Sequence, residues 1–287
     1  MPRDSLPAPV QITAADGQRI AARFFEPPIA PRGSVLIVPA MGVGQDFYAP
    51  MARWLAAEGL RVATFDFRGI GLSRPHRLRG FRADILDWAR LDCSAMLDAL
   101  GTLTPDKPCY WIGHSLGGQI LPFVPNRDRI SKAVTVACGS GYWRENARPL
   151  RRYAWWLWFV AVPVATHVCG YFPGKRLRKV GDLPAGVMIQ WRRWCLDPQY
   201  AVGAEGVGAR AQYAAVTMPI VSLSFTDDEF MSARNTESLH AFYRNAPRTM
   251  KRIAPAGVGV RRIGHFGFFR EALAESLWRK HLLPEFA

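Results

Sequence analysis

The sequence predicts an α/β fold: a mostly parallel central sheet with helices on both faces and a helical cap inserted late in the chain. Two observations carry this. Apolar runs of strand length alternate with amphipathic stretches of helical length through the first half of the chain. The alternation stops near residue 140 and resumes near 217, which divides the chain into a core, 1–139 and 217–287, and an insertion, 140–216. With 287 residues, 49% of them hydrophobic and 12% aromatic, there is enough apolar material for a sizeable core and too much for disorder.

The N-terminal part reads as a hairpin, VQITA (10–14) and RIAARFFEP (19–27), around a turn at Asp16-Gly17. SVLIVPAMG (34–42) is a buried strand. YAPMARWLAAEGL (48–60) has helical spacing and stops at Gly59. RVATFDFRG (61–69) is a second buried strand, and residues 81–101 form a long amphipathic helix closed by Gly101. KPCYWIGHS (107–115) is a third strand running into a short helix, LGGQILPFV (116–124). ISKAVTVACG (130–139) is a fourth. After the insertion come the strand within MPIVSLSFTDDEF (218–230), a helix at 233–246, a strand near 252–264 and a C-terminal helix at 266–283.

Bulk properties exclude several classes. Five cysteines are scattered with no CxxC pair, so neither a zinc site nor a disulfide framework is expected, and no histidine pair has metal-ligand spacing. The first residues hold no apolar core of signal-peptide length, so a cytoplasmic location is expected. A net charge of +14 invites a nucleic-acid reading, but no helix-turn-helix, RNP or zinc-finger signature accompanies it. The charge is left to attract anionic partners in general, membrane surfaces among them. Gly69-Ile70-Gly71 lacks the third glycine of a dinucleotide loop, and no cofactor is implied.

The chemistry centres on Gly113-His114-Ser115-Leu116-Gly117, a Gly-x-Ser-x-Gly frame between an apolar strand and a helix. That is the context of a nucleophile elbow, a sharp turn that lifts a serine hydroxyl above the strand ends. A serine needs a base, and the base an orienting carboxylate. Asp227 and Asp228 follow one late strand, and His265 follows another. His114, adjacent to the serine on a sharp turn, points elsewhere and is read as support. Asp66 and Arg68 are read as braces for loops near the site.

These residues, with Phe65-Asp66-Phe67-Arg68-Gly69-Ile70-Gly71-Leu72-Ser73 and Gly264-His265, make the chain resemble the α/β-hydrolase superfamily. The core is similar to its serine-aminopeptidase-like and monoacylglycerol-lipase-like members, and the resemblance covers about 1–138 and 217–287. It implies Ser115 as nucleophile, His265 as base and Asp228, favoured over Asp227 by the family's spacing, as the acid. It also implies an oxyanion hole from the amides of Met41 and Leu116, although Pro39-Ala40-Met41-Gly42 departs from the family's usual His-Gly.

The insertion contains 153–174, which has no Lys, Arg, Asp or Glu and includes Pro163, expected to bend any helix there. A bilayer span would separate Ser115 from Asp228 and His265, so a pair of cap helices is expected instead. Trp155, Trp156, Trp158 and Phe159 are candidate walls of a substrate pocket. Basic flanks, Arg144, Arg148, Arg151 and Arg152 before and Lys175, Arg176, Arg178 and Lys179 after, point to peripheral contact with anionic membrane. The expected activity is hydrolysis of a small-molecule carboxylic ester with an apolar moiety. Amide or peptide cleavage, acyl transfer, and a non-catalytic binding role on the same scaffold are the alternatives; no oligomeric state is specified.

Overall fold

A computed structural model describes residues 5–177 and 180–286. Arg178 and Lys179 of the expected basic flank lie outside them. Eight strands form one sheet in the order β1-β2-β4-β3-β5-β6-β9-β10. They are β1 (Val10–Thr13), β2 (Arg19–Phe25), β3 (Gly33–Val38), β4 (Leu60–Phe65), β5 (Cys109–His114), β6 (Ile130–Val136), β9 (Ile220–Phe225) and β10 (Arg248–Ile253). β1 and β2 are antiparallel to their neighbours, and every pairing from β4 to β10 is parallel.

The continuous apolar runs have a direct cause. Every residue of β3, β5 and β9 is buried, because a parallel sheet is covered on both faces. Side chains alternate between two apolar clusters. Val35, Ile37 and Ile112 face the helix Ala49–Ala57 and the C-terminal helix Ala274–Leu282. Leu36, Val38 and Trp111 face the helix at 85–103 and the inserted segment. The braces are in place: Asp66 accepts from the Gln45 and Leu72 amides at 2.8 and 2.9 Å, and Arg68 pairs with buried Asp92 at 2.7 Å and with Asp16 at 2.6 Å.

Several expected boundaries move, among them the helix expected at 81–101, which runs over 85–103 and through Gly101, and the helix expected at 233–246, which ends at His240. The strand expected near 252–264 is β10, which starts at Arg248 and ends at Ile253 before a 3₁₀ turn at Pro255–Val258. The C-terminal helix begins at Ala274, not 266, because Gly267–Phe269 and Glu271–Leu273 are separate 3₁₀ turns. The helix after Ser115 stops at Gln119 and gives way to a 3₁₀ turn holding Pro122, which has no amide to continue the ladder.

Between β6 and β9 lie more than a pair of helices. One runs unbroken over 148–169, followed by the small antiparallel pair β7 (Tyr171–Phe172) and β8 (Leu183–Pro184) and by helices Ala185–Leu196, Tyr200–Ala204 and Val207–Ala214. The first passes through Pro163 because a π-wound turn, Leu157–Ala161, precedes it. A widened turn takes up the hydrogen bond that proline cannot make. Among the described residues no helix is long and apolar enough to cross a membrane.

Candidate active site

The strand-to-helix turn after β5 explains its glycines. Ser115 has φ 50° and ψ −113°, a positive φ in a non-glycine residue, and its amide is tied to the Val136 carbonyl at 2.9 Å. A Cβ on Gly113 would lie 2.5 Å from the Gly118 backbone, and one on Gly117 would lie 2.2 Å from the Val38 carbonyl oxygen. Only glycine permits both approaches, and they hold the serine at the C-terminal end of the sheet.

His265 is buried and comes from the loop after β10. Its Nδ1–H donates to the Asp228 carboxylate, 2.9 Å to Oδ2 and 3.1 Å to Oδ1. Asp228 Oδ1 also accepts from the Phe230 and Met231 amides at 2.7 and 2.9 Å. The neighbouring Asp227 bonds elsewhere, its Oδ2 accepting the Ile263 amide at 2.8 Å. Glu229 takes the His265 amide at 3.1 Å. Three consecutive carboxylates therefore grip one loop at three points.

His114 lies behind the site. Its Nε2 is 3.0 Å from the His265 carbonyl oxygen, which can only accept, so Nε2 carries the proton and Nδ1 accepts from the Tyr48 hydroxyl at 2.8 Å. The Tyr48 oxygen in turn accepts the Ala40 amide at 2.9 Å. This chain links the loop after β3 to the histidine loop through two buried side chains. Tyr48 begins an apolar helix, and nothing in its spacing marked it as part of the site.

Burial holds His114 neutral, its pKa well below the usual imidazole value, and does the same to His240, brought down to about 4. His240 is satisfied in its neutral form, donating from Nδ1 to the Thr236 carbonyl at 2.7 Å and accepting at Nε2 from Thr135 Oγ1 at 2.9 Å. Below pH ~6.5 the unfolded chain binds a proton at each such histidine that the folded chain refuses, so stability falls with falling pH. In His240→Gln, the slope of unfolding free energy against pH is expected to flatten by up to one bound proton between about 6.5 and 4. Denaturant titrations at several pH values measure this.

Ser115 and His265 line one cavity of about 430 Å³, with Ala40 and Met41 from the loop after β3 and many residues of the insertion. Met41 and Gly42 are the central residues of a turn closed by Val43 N–H to the Ala40 carbonyl, with Gly42 at φ 70°. The Leu116 amide opens the helix Leu116–Gln119, where first-turn amides have no acceptor within the helix. Of the four aromatic residues expected as pocket walls, Trp156 and Trp158 line the cavity. Trp155 and Phe159 do not: they are 58% and 43% exposed and their rings stack on each other on the outer surface. Met188 and Trp191, from the helix Ala185–Leu196, take part in the lining instead. Among the described residues no group of three or more His, Cys, Asp or Glu side chains could hold a metal ion.

A buried serine on a strained elbow at the end of a parallel sheet, sharing a cavity with a carboxylate-bound histidine, defines a class. The family model described as serine aminopeptidase, S33 (Hydrolase_4) matches residues 29–173, and the chain belongs to that family, in the α/β-hydrolase superfamily. Human monoglyceride lipase is 28% identical over 120 residues, 42% of this chain; the match spans only 38% of that lipase. Among solved structures, a soluble variant of the Saccharomyces cerevisiae monoglyceride lipase with a substrate analog is similar at TM-score 0.63 and 17% identity, covering 88% of this chain and 87% of that one. Est816, described as an N-acyl homoserine lactone degrading enzyme, is similar at TM-score 0.61 and 17% identity, covering 97% and 100%. The Pyrococcus furiosus esterase Pf2001 is similar at 0.60 and 15%, covering 97% and 89%. Likeness at these identities is a likeness of fold.

Proposed function

We propose that the protein is a serine hydrolase that cleaves carboxylic esters carrying an apolar group. The observation that carries this reading is the single cavity in which Ser115 and His265 meet side chains such as Met41, Leu150, Leu157, Phe172 and Met188. Its volume suits one small-molecule substrate with an apolar arm. Ser115 Oγ attacks the ester carbonyl carbon while His265 Nε2 takes the hydroxyl proton, and Asp228 holds the ring and stabilises the imidazolium. The amides of Met41 and Leu116 receive the oxyanion. The C–O bond to the alcohol breaks as His265 returns the proton to the leaving oxygen. Water, deprotonated by the same nitrogen, then releases the acid. The human and yeast monoglyceride lipases and the Pyrococcus esterase support an ester ahead of an amide.

The reading includes peripheral contact with anionic membrane through the cap. Tyr153, Trp156, Val160, Val164 and Val168 recur at helical spacing on the 148–169 helix and are exposed, with Trp155 and Phe159 beside them. Exposed Arg148, Arg151 and Arg152 stand at one end, and Lys175 and Arg176 beyond the other. Because Tyr153 and Trp156 also line the cavity, this surface adjoins the substrate's path.

One experiment tests both parts. Purified protein is assayed on p-nitrophenyl esters from acetate to dodecanoate, free and then in vesicles with and without anionic lipid. The expected result is a KM that falls with acyl length and faster turnover in anionic vesicles that salt suppresses. Best activity on acetate would remove the apolar substrate, and equal rates in both vesicle types would remove the membrane.

A further inference from the structure

We infer that Glu229 is a positioning residue for His265, acting through the histidine's backbone; this rests on reading His265 as the base. Every polar group of His265 but one is already engaged. Its side-chain Nδ1 is held by Asp228 at 2.9 Å. Its carbonyl oxygen is held by His114 Nε2 at 3.0 Å. Its amide is held by Glu229 Oε2 at 3.1 Å. With these three bonds made, Nε2 is the one polar atom left for chemistry. Removing Asp228 frees the ring, but removing Glu229 frees the peptide plane from which the ring hangs.

The local backbone is shaped for this grip. Gly264 sits at φ 62°, and a Cβ there would lie 2.8 Å from Glu229 Oε2, so the glycine both permits the turn and admits the carboxylate. Glu229 Oε1 pairs with Arg262 Nη2 at 3.3 Å, just upstream on the same loop. Arg262 is two-thirds exposed, so that pair is screened and weak, and the amide contact is the one that holds. Asp227 grips Ile263, two residues before the histidine, and serves the loop as a whole. Glu229 alone among these carboxylates reaches the catalytic residue's own amide, and it lines the cavity with it. A nitrogen misplaced by about 1 Å can cost on the order of 100-fold in rate, so a backbone clamp on the base acts on kcat rather than on substrate affinity.

The test compares Glu229→Leu, which cannot accept the amide, with Glu229→Gln, whose amide oxygen can. Glu229→Leu is expected to lower kcat about ten-fold with KM within about two-fold, and Glu229→Gln to recover most of the loss. A second readout needs no turnover: the downfield Nδ1 proton of His265 in the NMR spectrum. It is expected to be sharp in the wild type and Glu229→Gln, and broadened by solvent exchange in Glu229→Leu. An unchanged Nδ1 proton in Glu229→Leu, or a loss of kcat that Glu229→Gln fails to recover, overturns the inference. A wild type with no turnover but a sharp Nδ1 proton that Glu229→Leu broadens would instead overturn the ester-hydrolase reading and leave the clamp standing.

Discussion

Ser115→Ala is expected to abolish labelling by a fluorophosphonate probe and to lower ester turnover by about 10⁴-fold or more. The residue is held at φ 50° by its neighbours, through the close approaches at Gly113 and Gly117 and the bond from its amide to Val136. Alanine has no greater objection to that conformation than serine, so the variant should fold with an unchanged melting temperature. What it loses is the hydroxyl, and with it the acyl-enzyme. Labelling is read by gel fluorescence on purified wild type and variant side by side. Equal labelling of both would place the nucleophile elsewhere, and labelling of neither would favour a scaffold that binds without reacting.

Asp228→Asn is expected to cost about 10⁴-fold in kcat, whereas Asp227→Asn should cost less than about ten-fold. The two are adjacent in the chain and hold different groups. Asp228 accepts from His265 Nδ1 and from two backbone amides. An asparagine there can turn an N–H toward the ring, which favours the tautomer whose Nε2 cannot act as a base. Among the described residues Asp227 accepts only the Ile263 amide, through Oδ2, a bond that an asparagine oxygen can still make. The ratio of kcat/KM between the two variants, measured on one ester, decides the assignment. Comparable losses would mean that the clamp on the histidine loop, rather than the charge at the ring, governs the rate.

How far the molecule could be read from its sequence varied with how local the causes were. The parallel strands were legible because burial on both faces leaves uninterrupted apolar runs, as in β3 and β5. β10 was displaced because Arg248–Ile253 lies at the sheet edge and four of its six residues are exposed, so its pattern is charged rather than apolar. The turns at 267–273 keep the aromatic look of the helix they precede, and composition alone does not separate the two. Within the inserted segment, neighbouring tryptophans on one helix point in different directions, and the π-wound turn at Leu157–Ala161 shifts the phase further. Hence Trp156 and Trp158 line the cavity while Trp155 and Phe159 face outward. Ser115 and Asp228 could be singled out because each sits just past the end of a strand, and His265 because it lies in the loop after the last strand, in a fixed chain order. Tyr48 and Glu229 could not, because their partners are 66 and 36 residues away and, for Glu229, a backbone amide that no side-chain pattern announces.

The inserted segment has one further consequence. Ala154, Trp158, Val162, Phe172, Trp194 and Tyr200 belong to the same buried cluster as Leu36, Trp88 and Trp111 of the sheet and its helix. A backbone seam joins them as well: a Cβ on Gly181 would lie 2.4 Å from the Gly42 carbonyl oxygen, beside Met41. The inserted segment and the sheet therefore share one apolar core, and a single cooperative unfolding transition is expected in calorimetry. Excising 140–216 would not uncover a working body; it would remove part of that body's own interior.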